Sequence, residues 1–165
     1  MRILLFIIVM FSLPISANTF EIREFKNANQ LIWDDTFKLH INEYFGSKSK
    51  EYFWSDAKVS EQVKAGFGGA PDLVEALGGN TYIVSACRHR SCDEKSAYVT
   101  NGDFELFAII SYLCETHSGA TEFCSDGQLV IFYKNASAKN LLSNHLINWK
   151  NYYAPKAKVV YEKVT

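Results

Sequence analysis

Ser85-Ala86-Cys87-Arg88-His89-Arg90-Ser91-Cys92-Asp93-Glu94-Lys95 sets a short basic loop between two strand-like runs. Two cysteines bracket four residues, and three of those four can carry positive charge. A β-rich run, Thr81-Tyr82-Ile83-Val84, leads in, and another, Ala97-Tyr98-Val99, leads out, which is the pattern of two strands joined at a tight tip. A Cys87–Cys92 bond closes the hexapeptide into a ring projecting from that hairpin. The chain-entropy model gives only about 2 kcal/mol for so short a ring. The larger effect is local, because a frozen loop has less conformational entropy left to lose on binding. A rigid cationic knuckle suits an anionic cleft. A hairpin staple with solvated arginines is the plainer alternative.

Downstream of the tip the chain stays strand-rich. Asn101-Gly102 is the strongest hairpin signal in the sequence. Phe104–Leu113 is a continuous apolar run, as expected of a central strand covered on both faces. Glu115 to Asp126 reads as a polar loop, Asp126-Gly127 as the turn into a strand over Leu129–Tyr133, Ser137 to Trp149 as a closing helix, and Val159–Tyr161 as a last short strand. Upstream the period changes. Trp33, Phe37, Ile41 and Phe45 recur every four residues, predicting one amphipathic helix capped by Asn29 and ended by Gly46. A second helical run opens at Ser55, with Val59 and Val63 inward and Glu61, Gln62 and Lys64 outward, and stops at Gly66-Phe67-Gly68-Gly69. A third, from Ala70-Pro71-Asp72 through Leu77, ends at Gly78-Gly79-Asn80. The glycine clusters lack the lysine–serine pair and preceding strand of a phosphate loop, so they read as caps and hinges. Helices segregated from an antiparallel meander predict an α+β domain.

The amino terminus sets the compartment. Met1-Arg2, an apolar run from Ile3 to Ser12, then Leu13-Pro14-Ile15-Ser16-Ala17 predict a signal peptide over residues 1–17, cut after Ala17. The run is too short to span a bilayer. The mature chain, 18–165, has about 148 residues, the size of one domain. The full sequence has 12 Phe, 9 Tyr and 3 Trp, and all but Phe6 and Phe11 fall in this part, enough to fill a sizeable core. The formal charge of −1 excludes a general nucleic-acid or membrane-surface binder, so the basic tip is a local feature.

An even set of cysteines in an exported chain predicts disulfides. Of three connectivities, local pairing of Cys87 with Cys92 and Cys114 with Cys124 costs least in loop closure. A four-cysteine zinc site is the rival, but intervals of four and nine residues fit the C-x2-C pattern poorly, so no metal is expected. No cofactor is expected either. For catalysis there is no H-E-x-x-H, G-x-S-x-G or C-x-x-C, and Asp93 and Glu94 should diverge on a strand edge. The expectation is a protein that is not an enzyme. Glu94 and Lys95 are expected to be solvated.

Gly79-Asn80-Thr81-Tyr82-Ile83-Val84-Ser85-Ala86-Cys87-x4-Cys92 resembles the inhibitor of vertebrate lysozyme (Ivy) family of exported bacterial proteins, whose C-K-P-H-D-C loop follows a strand ending in Ser-Ala-Cys. The likeness spans roughly Gly78 to Leu113. It implies an antiparallel sheet with helices packed on one side, a periplasmic location, and a loop that plugs a lysozyme active site with its histidine at the catalytic carboxylates. Members also act as dimers, so a homodimer is among the implied states. Cys87 and Cys92 carry over and Arg88 matches a basic position. The family's histidine place holds Arg90 here, His89 stands at the proline, and Ser91 at the aspartate. Arg88, His89, Arg90 and Ser91 are therefore the expected target-binding loop, with His89 or Arg90 reaching the carboxylates and the remaining arginines steering from the rim. The partner implied is a lysozyme. The runner-up is a binding or immunity-type module on the same scaffold, aimed at another peptidoglycan-cleaving enzyme.

Overall fold

The structure, a computed structural model, describes residues 20–116 and 118–165; the expected signal peptide lies outside them. The fold is α+β. A six-stranded sheet runs in the order β1 (Glu75–Gly78), β2 (Thr81–Arg88), β3 (Ser91–Thr100), β4 (Glu105–Glu115), β5 (Thr121–Tyr133), β6 (Lys158–Lys163). Neighbours are antiparallel except β5 and β6. That parallel pair is joined by α4 (Ala136–Tyr153), because only a crossover can return a chain to the same end of a sheet.

Helices cover both faces, which corrects the one-sided packing implied by the Ivy resemblance. Alternate strand residues divide the core in two. Val84, Ala86, Tyr98, Phe107, Ile109 and Phe132 face α1 (Ala28–Trp33), α2 (Asp35–Phe45) and α3 (Val59–Gly66). Ile83, Val99, Leu106, Ile110, Leu129 and Ile131 face α4. β4 is thus buried on both sides, the reason its sequence is continuously apolar rather than alternating.

Several expectations for the helical half need correction. Asp34 leaves the helical conformation and its side chain accepts from Phe37 N at 2.8 Å, so one predicted helix is two, with Asn27 rather than Asn29 capping the first. Trp33, at the break, is 74% exposed instead of lying in the core stripe. Gln62, assigned to the solvent face, is fully buried. It accepts from Tyr52 N and Phe53 N and donates to Lys50 O and Ala57 O, so one side chain organises the connector before α3.

The third predicted helix is absent. Residues 69–72 instead lie along β2, with Gly69 N bonded to Cys87 O, Cys87 N to Ala70 O and Asp72 N to Ser85 O, and β1 comes next. A Cβ at Gly69 would overlap the Cys87 carbonyl, so glycine is required by this close approach. In the strand-rich half, the expected polar loop over Glu115–Asp126 is mostly the paired arms of the β4–β5 hairpin, and Asp126-Gly127 makes a bulge rather than a turn. Asn101-Gly102 does turn the chain, with Asn101 Oδ1 accepting from Phe104 N at 2.8 Å. Among the described residues no helix is long and apolar enough to cross a membrane.

Candidate functional site

The β2 and β3 strands pair regularly from Tyr82↔Thr100 to Cys87↔Lys95, and the next pair is Arg88↔Ser91. Cys92, Asp93 and Glu94 therefore bulge from β3, and the disulfide between Cys87 and Cys92 closes that bulge. Cys87 is buried and Cys92 exposed, so the ring spans from the core to solvent. His89 and Arg90 form the turn itself and both are exposed. Arg90 has φ 64, a left-handed conformation that costs a non-glycine residue about 1–2 kcal/mol. The closed ring holds it there.

The root of the tip is charged and internally matched, against the expectation that Glu94 and Lys95 are solvated. Glu94 is 9% exposed and accepts from the Arg88 guanidinium, which also lies 5.6 Å over the Phe53 ring. On the other face Lys95, 5% exposed, has its ammonium 4.0 Å from the Tyr153 ring centroid and 3.5 Å from Asp72 Oδ2. Asp72 accepts from the Ser85 hydroxyl, which accepts from Trp149 Nε1 at 3.0 Å. Burial, followed by the Asp72 charge, raises the Tyr153 phenol to about 12. Charges drawn into low dielectric are stable only when matched in this way. Of the four expected loop residues, Arg88 is thus engaged by the fold and Ser91 is half-buried in the closing pair. His89 and Arg90 have no hydrogen bond or ion pair among the described residues.

The β4–β5 hairpin ends beside this tip and is closed by Cys114–Cys124. Phe123, 75% exposed, stacks on Tyr112 with ring centroids 6.3 Å apart. Burial and then the neighbouring charges of Asp93 and Glu94 raise the Tyr112 phenol above its ordinary value. Lys50 bridges Glu115 at 2.9 Å and Glu162 at 3.3 Å, tying this hairpin to the connector before α3. Lys48 reaches Glu162 as well, at 2.8 Å.

At the opposite end of the sheet lies a cleft of about 930 Å³. His40, on α2, bonds through Nε2 to Glu105 Oε2 at 2.5 Å, and Tyr98 donates to the same oxygen at 2.9 Å. Burial and the Glu105 charge push the Tyr98 phenol well above its ordinary value. Residues 40 and 105 lie on different elements, and nothing in either local pattern links them. The anchors Phe53, Asp72 and Trp149 are equally silent in the sequence. The one usable signal is that Glu94 and Lys95 precede a run of buried strand residues, where a charge needs a partner.

Comparison with protein-family models, curated proteins and solved structures finds no match for this chain.

Proposed function

We propose that this chain is an exported inhibitor of a lysozyme-type glycosidase, acting in the periplasm by inserting the His89–Arg90 turn into the enzyme's active-site cleft. One observation carries the reading: a disulfide-closed tip exposes a histidine and an arginine while its other buried-root charges are matched within the fold. Such a tip brings cationic hydrogen-bond donors to a target with little ordering entropy left to lose. Retaining glycosidases hold two carboxyl groups about 5–5.5 Å apart. An imidazole placed between them is drawn toward its charged form, and a guanidinium can fork across them. The resemblance to the Ivy family at Ser85-Ala86-Cys87-x4-Cys92 supports the same target class.

His89 is the contact residue in this proposal, because a small shift within a closed loop suffices to bring it to the carboxylates. Arg90 steers from the rim. Arg88, held by Glu94 and stacked on Phe53, shapes the loop instead of touching the target. The test titrates the mature protein against a panel of lysozymes in a cell-wall lysis assay, then measures on- and off-rates of His89→Ala, Arg90→Ala and Arg88→Ala at two salt concentrations. Stoichiometric inhibition is expected. His89→Ala should raise the off-rate by about 30-fold or more, as truncating one partner of a desolvated charged pair costs about 2–5 kcal/mol. Arg90→Ala should slow a salt-sensitive on-rate. No inhibition across the panel, or three variants that bind like the parent, would overturn the proposal.

A further inference from the structure

The cleft at the far end of the sheet is independent of the tip and of the function proposed for it. Its walls are half-buried rings, Phe20, Tyr82 and Phe104, over a floor formed by Tyr44 and Tyr98. Its strongest charges are matched within the protein: Arg23 with Glu21 at 2.6 Å, and His40 with Glu105 at 2.5 Å. Lys134 lies 4.7 Å over the Tyr44 ring, while Glu43 and Asp103 stand exposed at the rim. A cation entering the floor meets a carboxylate that already accepts from two donors on one oxygen. An anion entering passes the two rim carboxylates. The rim therefore disfavours an anion, and the floor carboxylate keeps Oε1 as an acceptor open to a neutral hydroxyl.

What the walls do offer is half-used hydrogen-bonding groups fixed by the fold. Asn80 donates from Nδ2 to Asn101 O at 3.1 Å, leaving Oδ1 as an acceptor. Asn135 Oδ1 accepts from Ala138 N at 2.7 Å as the cap of α4, leaving its amide hydrogens as donors. Glu105 Oε1 and His40 Nδ1 likewise have no partner among the described residues. Each group is oriented by its other end, so little rotamer entropy is lost when a ligand arrives. Fixed donors and acceptors between aromatic faces match a molecule with apolar C–H surfaces and a periphery of hydroxyls, each both donor and acceptor.

We propose that this cleft, built around the His40–Glu105–Tyr98 cluster, is a binding site for a neutral saccharide. The test records NMR shifts of the full chain titrated with neutral oligosaccharides of gluco, galacto, manno and N-acetylglucosamine configuration, and with glucuronic acid and glucosamine as charged counterparts. At least one neutral sugar should give saturable shifts clustered on residues 40, 80, 105 and 135. Asn80→Gly keeps the left-handed backbone available (φ 61) but removes the free Oδ1 acceptor, together with the Nδ2 bond to Asn101 O, and should weaken binding about 3- to 10-fold, the value of one neutral hydrogen bond. His40→Gln, which can still bond Glu105, should weaken it similarly. The proposal is overturned if no neutral sugar shifts these residues, if a charged counterpart binds more tightly, or if both variants bind like the parent.

Discussion

The β2–β3 and β4–β5 hairpins end side by side at one end of the sheet, each closed by a disulfide, and they differ in what lies beneath the closure. Under the first, Cys87 is buried and the flanking charges of Arg88, Glu94 and Lys95 are tied to Phe53, Asp72 and Tyr153. Among the described residues, His89 and Arg90 of the turn and the exposed Asp93 of the bulge are left without a partner. Under the second, the ring is longer, with its cysteines ten positions apart against five, and a stacked Tyr112–Phe123 pair sits at its base. Anchoring that runs up to the last pair before the turn suits a tip that must hold its shape against a partner. The last pair of the second hairpin, Glu115 with Thr121, is held among the described residues only by the solvent-exposed Lys50–Glu115 bridge, an anchor suited to a staple.

The strongest way to break this comparison is to remove the support the hairpins share. Gln62 satisfies four backbone groups of the connector that carries Phe53 under Arg88 and Lys50 under Glu115. Gln62→Leu should cost about 3–5 kcal/mol, since buried backbone groups lose their partners, and should loosen both tips. Chemical denaturation measures it, and a loss below about 1 kcal/mol would show that the connector holds without it. Next, Cys114→Ser with Cys124→Ser should cost at most about 3 kcal/mol and lower Tm, while target binding per folded molecule is unchanged. Cys87→Ser with Cys92→Ser should cost less, about 2 kcal/mol, and yet abolish tight binding. If the two double variants exchange these outcomes, the functional ring has been misassigned.

A smaller effect should appear with acid. Burial opposes ionisation of Glu162, but hydrogen bonds from Lys48 and Tyr52 and the charges of Lys50 and Lys48 outweigh it and hold the carboxyl below its ordinary value. A carboxyl depressed in the folded state adds stability that is present above its unfolded pKa and lost as pH falls through the folded one. Glu162→Gln should therefore flatten the decline of stability below about pH 4.5, the ordinary glutamate value. An unchanged acid limb would mean the Lys48–Lys50–Glu162 cluster adds nothing to the root of the second hairpin. The smallest expected change is at the turn, where Arg90→Gly should relieve the left-handed strain and raise stability by about 1 kcal/mol, with weaker steering of the target.

Much of this was legible in the residues. The β2–β3 hairpin, both disulfide pairs, the Asn101-Gly102 turn and the doubly buried β4 come from local patterns. The misreadings have a common cause. Gln62 has the spacing of a solvent-facing residue, and only a connector folding over it makes it a core residue. The 70–77 segment has helix-compatible residues, but pairing with β2 satisfies its backbone instead. His40 and Glu105 are 65 positions apart and meet only when α2 crosses the sheet. Local propensity cannot report a partner supplied by a distant element.

The parallel strand β6 has a consequence for how the molecule is made. Synthesis runs from the amino end, so β6 is made after the other five strands of this sheet, yet it covers the edge of β5 and supplies Glu162 to Lys48 and Lys50 more than a hundred residues earlier. A chain interrupted after α4 would expose the Gln128–Tyr133 edge, an apolar strand with bare amides and carbonyls open to pairing with another copy. Closing this edge of the sheet therefore rests on a strand of six residues.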